Sequence, residues 1–104
     1  MPLSDFQIDR NRLAEVCRRF SVAHLGVIGG FARGDAGPES KLDVLVTFEP
    51  NARIGLEFVA LKQELAALTG RQVDLLTRAS VERSPNKYFR HYALRQTEPL
   101  YEPA

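Results

Sequence analysis

Leu13, Val16, Cys17 and Phe20 recur at i, i+3, i+4 and i+7, with arginines and an acid between them. This is the apolar stripe of an amphipathic helix, expected over residues 9–20. Residues 23–28 (AHLGVI) are mostly apolar and read as a strand running into Gly29-Gly30. A short helix is expected over 31–33, closed by Gly34, and a loop over 35–40, which holds Gly37 and Pro38. Residues 42–48 (LDVLVTF) form a second strand ended by Pro50. Ile54, Phe58, Leu61, Leu65 and Leu68 keep the spacing of one helical face, and Gly70 stops that helix. Residues 72–76 (QVDLL) make a third strand, Ser84-Pro85 a helix start, and 86–95 a last helix. Pro99-Leu100-Tyr101 suits a short edge strand. The order αβαβαβα predicts a small α/β sandwich with helices packed on a sheet.

Composition adds limits. A chain of 104 residues with 44% apolar content fits one domain, 1–104, with one core. Fourteen basic residues nearly cancel thirteen acidic ones, so bulk charge points to neither a nucleic-acid nor a membrane partner. Cys17, the single cysteine, excludes an intramolecular disulfide and a cysteine-built zinc site, and its place on the helix stripe marks it as core. The polar N-terminus MPLSDFQIDR is unlike a signal peptide, and no apolar run approaches the roughly 20 residues of a membrane span. A cytoplasmic protein is the expectation.

Two residues stand out against this frame. Asp43 and Asp74 each sit inside an apolar strand, where an unpaired charge costs several kcal/mol. Two strands each carrying one inward carboxylate suggest a shared site; salt bridges from each to nearby arginines are the simpler alternative. Gly29-Gly30 sits where a strand turns into a helix, a place where backbone N–H groups attract phosphate. Arg33 would either reach that phosphate or neutralise Asp35 or Asp43. Ser40 either contacts the site or ends a loop.

The run from Gly29 to Val46 resembles the minimal nucleotidyltransferases of the DNA polymerase beta superfamily. Their signature is Gly-Ser, ten residues, then Asp-x-Asp, with a third Asp on a later strand. Here Gly29-Gly30 is followed by ten residues and then Lys41-Leu42-Asp43. Phe31-Ala32-Arg33-Gly34 matches the FARG portion, Ser40 precedes the pair, and Asp74 in QVDLLT matches the third carboxylate. The sharp match covers residues 25–49. The resemblance implies a palm-like mixed sheet and transfer of a nucleoside monophosphate from an NTP such as ATP to a hydroxyl. It implies Mg²⁺ held by carboxylates, here Asp43 and Asp74, with Gly29, Gly30, Arg33 and Ser40 around the nucleotide. It also implies a HEPN-type toxin as partner, with this chain as the antitoxin, and leaves the oligomeric state open.

Two departures fall on the chemistry. Gly30 replaces the motif serine, and Lys41 replaces the first aspartate. Lysine offers no oxygen to a metal, and it changes the formal charge of the cluster from minus three to minus one. Lys41 is therefore expected to take the metal's place, pairing with Asp43 and Asp74 on one sheet face. The leading reading is a transferase fold with a degenerate, silent site. An active AMP transferase acting on a HEPN toxin is the alternative. A small nucleic-acid-binding module is the least supported, resting only on Arg83, Lys87 and Arg90 beside Tyr88, Phe89 and Tyr92. His24 and His91 lack metal-ligand spacing and read as packing or surface residues.

Overall fold

The computed structural model describes residues 8–29, 41–52, 55–95 and 97–102. The short helix expected over 31–33, the loop over 35–40 and the individual positions Gly30, Arg33 and Ser40 lie outside them. The described elements run α1 (Arg10–Arg19), β1 (Val22–Ile28), β2 (Leu42–Phe48), α2 (Leu56–Thr69), β3 (Val73–Thr77), α3 (Arg78–Glu82), α4 (Lys87–Arg95) and β4 (Glu98–Tyr101).

Local chemistry sets the boundaries. Asp9 caps α1, its Oδ1 accepting from the backbone N–H groups of Asn11 at 3.0 Å and Arg12 at 3.2 Å. Gly70 ends α2 in the left-handed region (φ 68°) while its N–H donates to the Ala66 carbonyl at 2.8 Å. Thr77 caps α3 by accepting from the Ser80 N–H, and Asn86 caps α4 by accepting from the N–H groups of Tyr88 and Phe89.

The strands form one mixed sheet in the order β3-β2-β1-β4. β1 runs antiparallel to both β2 and β4, whereas β2 and β3 are parallel. A parallel pair needs a long crossover, and α2 lies between the two strands in the chain. Period-two alternation then divides the side chains between two faces. Leu25, Val27, Leu42, Val44, Val46, Val73 and Leu75 pack in the main core with Leu13, Val16 and Cys17 of α1 and Leu61 and Leu65 of α2. On the opposite face, Ile28 and Leu45 join Val81 of α3 and Ala93 of α4 in a smaller cluster. The expected sandwich of helices on a sheet is present, and Pro99-Leu100-Tyr101 does lie in an edge strand.

Two details differ from the sequence expectation. α3 was not foreseen, because five residues are too few to show a period. Arg83 closes α3, so it does not share a helix face with Lys87 and Arg90, which lie on α4.

Cys17 is fully buried in the main core, and that burial pushes its thiol up to about 12. Ellman's reagent should therefore label the native protein at pH 8 only as fast as the chain unfolds. The unfolded thiol releases its proton near 9.0 and the folded one near 12, so the unfolded state holds fewer protons in this window. Stability should accordingly fall as pH rises from 9.0 towards 12, and replacing Cys17 by alanine should flatten that slope in alkaline melts. Rapid labelling of native protein at pH 8 would contradict this account of the thiol.

Candidate active site

Asp43 and Asp74 are opposed in the parallel register of β2 and β3, and Ile28 of β1 is opposed to Asp43 on the other side. One row across three strands therefore reads Ile28, Asp43, Asp74, all on the face that carries α3 and α4. Directly opposed residues on neighbouring strands point the same way, so the two carboxylates are neighbours by register alone. Asp43 is half-buried and Asp74 exposed.

Gly29 follows the row at the end of β1, in the left-handed region at φ 74°. A Cβ at this position would fall 2.6 Å from Asp43 Oδ2. Glycine is required here for two reasons, the backbone angle and the room for the carboxylate. Gly29, Asp43, Asp74, Ile28, Leu76, Phe89, Tyr92 and Ala93 line a cavity of about 300 Å³. Its floor is the sheet and its far wall is α4.

Lys41 stands just ahead of β2, exposed, where Leu42 N–H donates to the Gln72 carbonyl at 2.9 Å. It lines a second cavity with Asp74, Gln72 and Val73 of the β3 edge and Val59, Lys62, Gln63 and Ala66 of α2. Asp74 is common to both cavities. No ion pair joins Lys41 to Asp74 among the described residues. Gly30, Arg33 and Ser40 lie outside the described residues. His24 and His91 are both exposed.

Two acceptor-only carboxylates side by side are hard oxygen donors, suited to one divalent cation such as Mg²⁺. A pair of divalent ions asks for more negative charge than two carboxylates carry. Among the described residues, no group of three His, Cys, Asp or Glu side chains is assembled to hold a metal.

Phe89 and Tyr92 are the residues of this site that sequence reasoning did not place there. Their spacing with Ala93 signals one face of α4, but only the packing of α4 across the sheet brings that face over the aspartates.

A mixed sheet with a parallel β2–β3 pair, one aspartate on each strand in register, and a glycine turn beside them defines a nucleotidyltransferase domain. The chain belongs to that family: the nucleotidyltransferase domain model matches residues 10–97. Within the family it is of the minimal nucleotidyltransferase type. It is 40% identical, over 68 residues, to the protein adenylyltransferase MntA of Thermococcus cleftensis, a match that spans 65% of this chain and 68% of that one. A solved structure assigned as a minimal nucleotidyltransferase superposes with a TM-score of 0.68 at 33% identity, covering 88% of both chains. The fold is also shared with a chain of the complex of tri-AMPylated Shewanella oneidensis HEPN toxin with MNT antitoxin, with a TM-score of 0.57 at 17% identity, covering 90% of this chain and 70% of that one. Family membership implies an NTP substrate and a divalent metal. Among the described residues, no helix is long and apolar enough to cross a membrane.

Proposed function

We infer that this chain is an MNT-type antitoxin component whose nucleotidyl-transfer site is silent, and that it acts by binding a HEPN-type toxin. The observation that carries the reading is Lys41. It stands where the family signature has a metal-binding aspartate, and it lines a cavity together with Asp74.

The residues then divide as follows. Asp43 and Asp74 would hold at most one Mg²⁺, and the family motif assigns the nucleotide phosphates to the sequence positions of Gly29, Gly30, Arg33 and Ser40. When bound, the metal supplies charge neutralisation at the phosphates and a lowered pKa for the acceptor hydroxyl. Lys41 would oppose this, because it brings a positive charge and no oxygen donor to the sequence position of the motif aspartate. The loss of the motif serine at Gly30 is the smaller change, because it removes one hydroxyl while a glycine still carries a backbone N–H donor.

A second reading, an active AMP transferase acting on a HEPN toxin, is favoured by the in-register carboxylates and by the adenylyltransferase relative. One experiment separates the two. The chain is co-expressed with a HEPN-type toxin and examined by size exclusion, and the complex is then incubated with α-labelled ATP and Mg²⁺. The silent-antitoxin reading expects co-elution and no label on either protein. Label on a toxin tyrosine would rank the active enzyme first, and separate elution would remove the antitoxin role.

A further inference from the structure

The sheet face that carries the aspartates has a second cavity at its other end. Across β1 and β2 the register sets three rows on this face: Ile28 with Asp43, Gly26 with Leu45, and His24 with Thr47. α3 and α4 pack over the middle of the face, where Leu45, Val81 and Ala93 form the smaller cluster. The aspartates line a cavity on one side of that cluster. His24 and Thr47 line another, of about 290 Å³, on the other side. Leu45, Leu94 and Pro99 supply its apolar lining, and Thr97 adds a second threonine. The Thr97 hydroxyl donates to the Ala93 carbonyl, and its methyl lies where a Cβ on Gly26 would fall, so only glycine leaves it room.

Two opposite charges reach this cavity: Arg78, the first residue of α3, and Glu102, just past β4. Opposite charges that share a cleft attract and ordinarily close on each other. These stay apart. Among the described residues no ion pair joins them, and Arg78 meets Glu82 instead, Nε to Oε1 at 3.5 Å. The Arg78 Nη groups and the Glu102 carboxylate make no hydrogen bond or ion pair among the described residues.

We propose that this cavity binds a free α-amino acid with a short apolar side chain, its carboxylate on Arg78 and its ammonium on Glu102. A guanidinium offers paired N–H donors that match a carboxylate, and a carboxylate accepts from an ammonium. Leu45, Leu94 and Pro99 then cover the side chain. The end of a polypeptide carries only one of the two charges, so a free amino acid fits where a chain terminus does not. A volume of about 290 Å³, at the small end for ligand sites, agrees with that size. The cavity is separate from the one over the aspartates, and its occupant does not depend on whether that site is silent.

The test is calorimetric titration of the full chain with L-valine and two truncated analogues. 3-Methylbutanoate lacks the ammonium, and 2-methylpropylamine lacks the carboxylate. Valine should bind, and each analogue should bind about tenfold more weakly. Arg78→Gln should weaken valine about tenfold and leave the amine unchanged, whereas Glu102→Gln should weaken valine equally and leave 3-methylbutanoate unchanged. A merely structural loss would not produce that crossed pattern. Excess ATP with Mg²⁺ should leave valine binding as it was. The proposal is overturned by no binding of valine, by equal binding of valine and 3-methylbutanoate (a plain anion site), or by wild-type affinity for valine in both variants. Displacement of valine by ATP would overturn it too, by moving valine to the cavity over the aspartates.

Discussion

Lys41→Asp should make Mg²⁺ stabilise the protein by several degrees more than it stabilises wild type. The substitution adds a third carboxylate next to Asp74, the residue whose flank Lys41 already occupies. Without metal, three close negative charges repel, each raising the pKa of the others, so the variant should melt below wild type. The loss should shrink on acidification, as the carboxylates take up protons. Added Mg²⁺ binds the folded state alone, and at ten times its dissociation constant it contributes about 1.4 kcal/mol. For a domain of this size that is roughly 6–11 °C. Adding Gly30→Ser should help chiefly with ATP rather than with metal. If neither protein responds to Mg²⁺, the carboxylates are not a metal site in this scaffold, and partner binding remains as the function.

Gly29→Ala should be the most damaging small substitution in the site. Alanine at φ 74° is strained, and its Cβ would meet Asp43 Oδ2 at 2.6 Å. The carboxylate must move or the backbone must leave its conformation, at a cost of about 1–3 kcal/mol. Gly70→Ala shares the positive φ, at 68°, but a Cβ there meets nothing within 4 Å. Comparing the two variants by urea denaturation isolates the clash from the backbone strain. Equal losses would show that Asp43 does not press on Gly29, and with it the account of the glycine turn would fail.

The site was partly legible in the sequence, and the reasons are particular. Residues 42–48 are so largely apolar and β-branched, and end so abruptly at Pro50, that β2 could be bounded correctly and Asp43 marked as the odd residue within it. Asp74 sits in the same kind of apolar strand, and the aspartates do meet on neighbouring strands as expected. α3 left no periodic trace; its local signal was Thr77, a capping residue three positions before Ser80. Lys41 shows a different limit. Alternation would send it to the Asp43 face; it precedes the first strand residue, and it lines a cavity with Asp74 and with residues of α2. Phe89 and Tyr92 could be placed on one helix face but not over the aspartates. That depends on how α4 crosses the sheet, which no local pattern encodes.

The central claim, that Lys41 leaves this scaffold with too little negative charge for a metal pair, is tested most directly by counting bound Mn²⁺. Mn²⁺ takes the same hard oxygen ligands as Mg²⁺ and can be followed by electron paramagnetic resonance in the presence of ATP. Wild type should bind one ion per chain at most, and Lys41→Asp should bind two. Two ions on the wild-type chain would contradict the account, because Lys41 would then have displaced no metal.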